Sequence, residues 1–260
     1  MIKGNYRYNL LDLFTYKTYL WFYKNIIFDF KVCTMIQIYK GENMIIAVEG
    51  MDGCGKSTIA KAIAKKFGYD YRAFPNKLFF DMDDSQYKKL CNRVYDLEDA
   101  YAKAWFFGFG NIIATKNIGD GVVIDRHFLS NYFWNGTNES EPLYKTLLQL
   151  VGKPDLTIVL YAGKSERMRR IAKRDPNDYD LKDPEKMVLG YDKMIDFAKK
   201  YRLPSIVINT EKFDLDKTTK ICESLVSKIQ YLDRDETIQF CSIVNSRLKQ
   251  SNKEPYSKYL

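Results

Sequence analysis

The chain of 260 residues is long enough for one sizeable globular domain with appendages, and its 46% hydrophobic and 28% charged residues argue against wholesale disorder. The net charge of +8 suits a protein that handles polyanionic ligands, but the basic residues are too scattered to predict a nucleic-acid-binding track. Five cysteines without a C-x-x-C pair argue against a disulfide framework or metal cluster and indicate a reducing, cytoplasmic compartment.

Residues 1–43 precede the first predicted strand and carry no phosphate-handling pattern, so we interpret them as an appendage of unknown role. An alternative is that translation begins at Met35 or Met44. The apolar run over residues 19–32 is interrupted by three charged side chains, which argues against a membrane span, and no signal-peptide pattern is evident. We therefore expect no membrane association.

From Met44 onward, short β-branched runs alternate with helical periods, which is typical of a parallel sheet covered by helices. Strands are predicted over residues 44–49, 71–74, 122–125, 157–161 and 205–209. Helices are predicted over residues 99–116, 164–174, 184–201 and 236–248, and around two apolar stripes, one of Ile59, Ile63 and Phe67 and one of Ile221, Leu225 and Ile229. The pattern as a whole predicts an α/β fold.

The segment GMDGCGKS, residues 50–57, matches the phosphate-binding pattern G-x-x-x-x-G-K-[ST] between a predicted strand and a predicted helix. Its glycines let the backbone curl so that N–H groups point at phosphate oxygens, and the helix N-terminus adds its dipole. Lys56 supplies a charge for the β- and γ-phosphates, and Ser57 offers a hydroxyl to Mg²⁺. The predicted ATP-binding residues are Gly50, Met51, Asp52, Gly53, Cys54, Gly55, Lys56, Ser57 and Thr58.

A second candidate segment, VVIDRHFLS, places Asp125 and Arg126 at the C-terminal end of a predicted strand, where ligands of parallel sheets gather. Asp125 is a candidate to hold a metal ion and its waters. Arg126 has a planar fork that suits a second phosphate, although a structural ion pair is the alternative. For the adjacent His127, local packing is favoured over acid–base catalysis.

A third segment, KSERMRRIAKR, predicts an arginine-rich helix over residues 164–174 that leads into the loop DPNDYDLKDP. A solvated helix face is the ordinary interpretation. Next to a phosphate loop, the same segment predicts a mobile lid that brings arginine onto a transferring phosphoryl group and neutralises its charge.

With these segments together, residues 44–229 resemble the thymidylate kinase family. The matching motifs are E-G-x-D-G-x-G-K-S-T, D-R-[YH]-x-x-S, P-D-L-T-x-x-L and R-I-x-x-R. The resemblance implies a P-loop NTPase-like three-layer fold with a five-stranded parallel sheet flanked by helices and a small lid at about residues 174–184. It also implies a kinase domain over residues 44–230, followed by a helix and polar tail at 231–260, and a homodimer by analogy.

The resemblance further implies roles for single residues. Asp52 would contact the sugar and phosphate region of the acceptor, and Arg126 would bind the acceptor phosphate. Because Gly53 gives the loop no basic side chain, Arg170 and Arg174 would supply positive charge for catalysis from the lid. Lys56 of the phosphate loop would contribute to catalysis as well. The further acceptor contacts it suggests are Phe74, Lys77, Lys103, Ser130 and Trp134.

Three departures from the family pattern bear on specificity. Residues 133–135 read FWN instead of A-Y-Q, residues 96–116 carry no arginine, and residues 178–180 read DYD where the family has D-R-[FI]. Phosphoryl transfer tolerates these changes more easily than thymine specificity does. Trp105, Phe106 and Phe107 are candidates either to stack on a base or to fill the core.

The sequence therefore predicts ATP- and Mg²⁺-dependent phosphorylation of a deoxynucleoside monophosphate, with dTMP as the favoured acceptor. One alternative is a deoxynucleoside kinase, which needs a carboxylate base just after the second strand, where no acid occurs before Asp81. Another is a nucleotide-binding module without catalysis, motivated by the missing arginines. The lack of an N-K-x-D motif argues against a guanine-nucleotide switch.

Overall fold

The computed structural model describes residues 43–73, 82–116, 118–178, 181–182 and 190–251. Its five strands form one parallel sheet in the order β2-β3-β1-β4-β5. The strands are β1 Met44–Glu49, β2 Asp70–Ala73, β3 Gly121–Asp125, β4 Leu156–Tyr161 and β5 Ser205–Asn209. Because every strand pair is parallel and helices connect the strands, the predicted α/β P-loop fold is confirmed.

Nine helices lie within the described residues. They are α1 Lys56–Phe67, α2 Asp84–Tyr95, α3 Ala100–Ala114, α4 Phe128–Asn135, α5 Glu141–Val151, α6 Lys164–Arg174, α7 Gly190–Lys200, α8 Leu215–Ile229 and α9 Arg234–Ser251. Each predicted strand lies within one residue of an observed one, apart from Phe74, which falls outside the described residues.

Helices α2, α4 and α5 were not predicted from the sequence. The residues of α4 are mostly buried, from Phe128 to Tyr132, so this helix shows no alternation of apolar and polar faces that a periodicity argument needs. The predicted α7 began at residue 184, but residues 183–189 lie outside the described part, and the described helix starts at Gly190. Its predicted inward residues Tyr191 and Met194 are buried.

The centre of the sheet brings the candidate residues to one edge. In the parallel register between β1 and β3, Val48 lies opposite Asp125, so both strands end at the same level. The phosphate loop follows β1, and Arg126 follows β3. Two of the sequence motifs are therefore neighbours although about 75 residues separate them in the chain.

The edge strand β5 is covered by α9. The side-chain amide of Asn245 accepts a hydrogen bond from the Val207 N–H at 3.2 Å and donates one to the Ser205 carbonyl at 2.9 Å. These bonds occupy backbone groups that an exposed edge would offer to another chain. Among the described residues, no helix is both long and apolar enough to cross a membrane.

Candidate active site

The phosphate loop depends on glycine at two points of close approach. Gly50 and Gly53 have φ angles of 130° and 81°, a region that other residues rarely adopt. A Cβ on Gly53 would lie 2.8 Å from the Arg167 carbonyl oxygen, and one on Gly50 would meet the Leu160 carbonyl. The loop is thus packed tightly against the end of β4 and against α6.

Lys56 and Arg170 each donate a hydrogen bond to a backbone carbonyl of the phosphate loop. Lys56 is 5% exposed, and its Nζ donates to the Met51 carbonyl at 2.8 Å and lies 3.7 Å from Asp52 Oδ1. The Gly53 carbonyl accepts from Arg170 Nη1 at 3.3 Å. A trans peptide points its carbonyl and its N–H in opposite directions, so the Cys54 N–H faces away from Arg170. Burial lowers the pKa of Lys56, and an anionic ligand beside its ammonium group would oppose this effect.

Ser57 and Asp125 form a pair of oxygen donors beside the loop. Ser57 Oγ donates to Asp125 Oδ2 at 2.5 Å, and the Tyr71 hydroxyl approaches the same oxygen at 3.3 Å. Asp125 Oδ1 is buried and has no hydrogen-bond partner among the described residues. Carboxylate and hydroxyl oxygens suit Mg²⁺, which takes few protein ligands and relies on phosphates and waters for the rest. The residues present therefore fit the ion that the sequence predicted.

Arg126 and Asp52 form an ion pair across the site. Arg126 has a φ of 70°, which is strained for a residue with a side chain, and its backbone N–H donates to the Val48 carbonyl at 3.0 Å. Both side chains are about one-fifth exposed, at 22% and 21%. The structure thus brings together two of the residues predicted to contact the acceptor, Asp52 and Arg126.

Sequence reasoning missed Glu49, which fixes the turn that carries Arg126. Its carboxylate accepts from the N–H groups of His127 and Leu129 at 2.9 Å each, and from the Ser130 N–H and Oγ at 3.1 and 2.5 Å. Burial raises the pKa of Glu49, an effect that the Ser130 and backbone bonds oppose. The carboxylate caps the N-terminus of α4.

Two side chains of this segment, Ser130 and His127, are buried. The Ser130 hydroxyl, expected to contact substrate, donates to Glu49, and the residue is 2% exposed. His127 is fully buried with its ring 4.3 Å from that of Phe128, and burial lowers its pKa to about 3. A neutral, packed imidazole agrees with the packing interpretation.

The two arginines of α6 that were predicted to serve catalysis, Arg170 and Arg174, have different surroundings. Arg170 donates from Nη1 to Thr210 Oγ1 and from Nη2 to the Thr210 carbonyl, both at 2.9 Å, and from Nε to Glu166 at 2.7 Å. Arg170 thus links the phosphate loop to the end of β5. Arg174 pairs with Asp178 at 2.5 Å, and its side chain is 61% exposed. Of these two arginines, Arg170 is the one that donates a hydrogen bond to the phosphate loop.

The remaining predicted acceptor residues are spread more widely. Phe74 and Lys77 lie outside the described residues. Lys103 is partly exposed in the first turn of α3, and Trp134 is 39% exposed near the end of α4. Of the aromatic candidates on α3, Phe107 belongs to the core, whereas Trp105 is 55% exposed.

A buried amide network ties α3, α4 and α5 together, and no sequence pattern indicated it. Asn131 Nδ2 donates to Asn111 Oδ1 at 2.6 Å, while Asn135 Nδ2 and the Tyr144 hydroxyl each donate to Asn131 Oδ1 at 3.0 Å. All four side chains are buried. Such bonds fix the relative position of the helices because leaving a buried amide unpaired costs about 1–3 kcal/mol.

Comparison with known proteins gives a consistent family. The family described as "AAA domain" matches residues 46–189. A probable thymidylate kinase of Archaeoglobus fulgidus is 32% identical over 143 residues, which cover 50% of this chain and 70% of that protein. A probable thymidylate kinase of Methanocaldococcus jannaschii is 27% identical and covers 68% and 92%. A cytidylate kinase of the same organism is 23% identical and covers 72% and 99%.

Solved structures share the fold. The thymidylate kinase from Candida albicans superposes with a TM-score of 0.55 at 16% identity, covering 74% of this chain and 94% of that one. A deoxyadenosine kinase from M. mycoides gives 0.50 at 22% identity, covering 71% and 100%. Fold, phosphate loop and relatives agree, and the chain belongs to the thymidylate kinase-like family of P-loop kinases.

Proposed function

We propose that the protein transfers the γ-phosphoryl group of ATP to the phosphate of a deoxynucleoside monophosphate, with dTMP as the first candidate. The observation that carries this proposal is the Arg126–Asp52 pair. It joins a forked cation to the phosphate loop itself, and the strained φ of Arg126 is stabilised by the buried Glu49 cap. A fixed guanidinium beside a triphosphate site suits an acceptor that is already a phosphate.

The chemistry follows from charge placement. Lys56 and the loop N–H groups bind the β- and γ-phosphates, and Arg126 binds the acceptor phosphate. Ser57 and Asp125 would hold Mg²⁺, which neutralises charge on the phosphates when bound. An acceptor oxygen forms a bond to the γ-phosphorus as the bond to the β–γ bridging oxygen breaks, and ADP leaves. The acceptor is an anion, so no general base is required, and catalysis rests on positioning and charge neutralisation.

The relatives support the monophosphate acceptor more firmly than its base. Those cited for sequence similarity are named thymidylate and cytidylate kinases. The substituted FWN segment and the absence of arginine from residues 96–116 alter the side that would receive the base. The preference for dTMP over acceptors such as dCMP or dUMP therefore has to be tested with a broad panel of monophosphates.

The test supplies the full-length protein with ATP, Mg²⁺ and a panel of deoxynucleoside and ribonucleoside monophosphates and free nucleosides, and follows ADP release. We expect turnover with pyrimidine deoxynucleoside monophosphates, dTMP above the others. Turnover with nucleosides alone would instead identify a deoxynucleoside kinase. ATP binding without turnover would identify a nucleotide-binding module without catalysis.

A further inference from the structure

Helix α7 reaches the phosphate loop through one buried hydroxyl. Tyr191, near the start of this helix, is 2% exposed. Its hydroxyl lies 2.7 Å from Cys54 Sγ, donates to the Leu160 carbonyl at 3.0 Å and accepts from the Ala162 N–H at 3.4 Å. One side-chain oxygen therefore links the phosphate loop to the C-terminal end of β4.

The glycine-rich sequence of the loop allows several backbone conformations, so contacts with the rest of the protein must select one of them. Cys54 stands between Gly53 and Gly55, whose φ angles are 81° and 87°. Glycine populates many backbone conformations at similar free energy, so the sequence alone does not fix the direction of the neighbouring peptide N–H groups. Cys54 is 1% exposed, and its side chain points inward to Tyr191. Holding that side chain restrains the peptide planes on both sides of it.

Arg167 packs against both the phosphate loop and the ring of Tyr191. It is 2% exposed, its Nε donates to the Ala162 carbonyl at 3.1 Å, and its guanidinium carbon lies 5.9 Å from the centre of the Tyr191 ring. Its backbone also makes the close approach to Gly53 described above. The ring of Tyr191 is thus held in place on one side by Arg167 while its hydroxyl faces Cys54.

We propose that Tyr191 is a positioning residue for the phosphate loop. By holding Cys54 against the end of β4, its hydroxyl sets the direction of the loop N–H groups that receive the phosphates of the nucleotide. The inference rests on the proposed function only in requiring that the loop binds ATP. Burial raises the pKa of Tyr191 well above its usual value, so the hydroxyl keeps its proton at neutral pH.

The experiment measures the Kd for ATP and for ADP by titration calorimetry on the full-length protein and its Tyr191→Phe variant. We expect binding to weaken by about three- to tenfold, the effect of one hydrogen bond, with the KM for ATP rising equally and the KM for the acceptor unchanged. Tyr201→Phe is the matched control. It removes a hydroxyl that donates to Glu141 at 2.6 Å, just beyond the other end of α7. We expect it to lower thermal stability but leave the Kd for ATP unchanged.

A double-mutant cycle with Cys54 separates positioning from general stability. Cys54→Ala should weaken ATP binding in the same direction, and adding Tyr191→Phe should add less than its effect alone. Cys54→Ser keeps a hydrogen-bonding group and should restore most of the affinity. If Tyr191→Phe does not fold, Cys54→Ala and Cys54→Ser carry the test.

Two results would overturn the inference. One is that Tyr191→Phe and Cys54→Ala bind ATP within twofold of the unchanged protein while their melting temperatures fall, which is the pattern of a purely structural contact. The other is that the unchanged protein binds no ATP at all. If it binds ATP but shows no turnover, the proposed function fails, and the calorimetric comparison still decides the role of Tyr191.

Discussion

The donor side of the candidate site and the side assigned to the acceptor differ in how their side chains are held. On the donor side, Lys56, Cys54 and Arg170 are buried or half-buried, and the side chain of each forms a hydrogen bond with another residue. On the acceptor side, Trp105 and Trp134 are 55% and 39% exposed. Groups fixed before the ligand arrives need no reorganisation, so we expect the proposed phosphate binding to require little rearrangement of these side chains. We expect base selection to depend more on side chains that face solvent.

The largest effect is expected on the donor side. Lys56→Ala removes the buried cation that we assign to the β- and γ-phosphates, and we expect kcat/KM to fall by about 100-fold or more. Lys65→Ala, an exposed lysine on the same helix, is the matched control and should leave turnover unchanged. Initial rates of ADP release measure both. Substantial activity in Lys56→Ala, in a protein that still melts cooperatively, would refute the role given to this lysine.

Arg126→Ala tests whether the two sides can be separated. Because Arg126 is assigned to the acceptor phosphate, we expect kcat/KM for the monophosphate to fall by about 30-fold or more, with the Kd for ATP changing by less than about threefold. Arg202→Ala is the control, since the Arg202 side chain is 72% exposed and 4.0 Å from Asp235. Equal losses in ATP affinity and acceptor use would show that Arg126 belongs to the donor side instead.

Glu49→Gln sharpens the comparison by loosening only the turn before α4. The amide places one donor among groups that are all donors themselves, so we expect the free energy of unfolding to fall by about 1–3 kcal/mol. The KM for the acceptor should rise more than the KM for ATP. The exposed Glu98→Gln is the matched control. Denaturant unfolding and steady-state kinetics measure the two effects, and an unchanged unfolding midpoint would contradict the cap.

The smallest expected effect concerns pH. His127, the one histidine of the chain, has a folded-state pKa of about 3 against an ordinary value of 6.5. The unfolded chain binds this proton at higher pH, so the histidine destabilises the fold as pH falls from 6.5 towards 3, by about 1.4 kcal/mol per unit. The raised pKa of Glu49 acts in the opposite direction, since it favours the folded state as pH falls.

The measurement compares the unfolding free energies of the unchanged protein and His127→Phe at pH 7.5 and 5.5. Taking the difference between the two proteins cancels the contribution of Glu49. We expect His127→Phe to lose less stability on acidification than the unchanged protein. An identical pH dependence in both would show that His127 is not buried as a neutral ring.

Much of the proposed phosphate-binding part of the site could be predicted because phosphate chemistry demands a local pattern. The sequence predicted both the loop over residues 50–57 and the Asp125–Arg126 pair, because each motif is contiguous and lies at the end of a buried strand. Glu49 lies in one motif and its partner Ser130 in the other, and only the folded sheet joins them. A single sequence offers no signal for such a contact.

The same limit applies to side chains whose partners are remote. The Asn111–Asn131 bond and the Arg170–Thr210 bonds join separate helices or a helix and a strand end. Arg170 was predicted as a catalytic lid residue because Gly53 leaves the phosphate loop without a basic side chain, and the structure shows it bound to Thr210 beside that loop. Its direct role in transfer stays a prediction. The assignment of residues 1–43 and of the lid also stays a prediction.

The central claim is transfer from ATP to a nucleoside monophosphate, and following the γ-phosphate itself tests it most directly. Radiolabelled γ-phosphate would be supplied with Mg²⁺, dTMP and either the unchanged protein or Lys56→Ala. We predict that the label appears in dTDP with the unchanged protein and not with Lys56→Ala. Label that stays in ATP, or appears only as free phosphate, with dTMP and with every other monophosphate of the panel, would contradict the account.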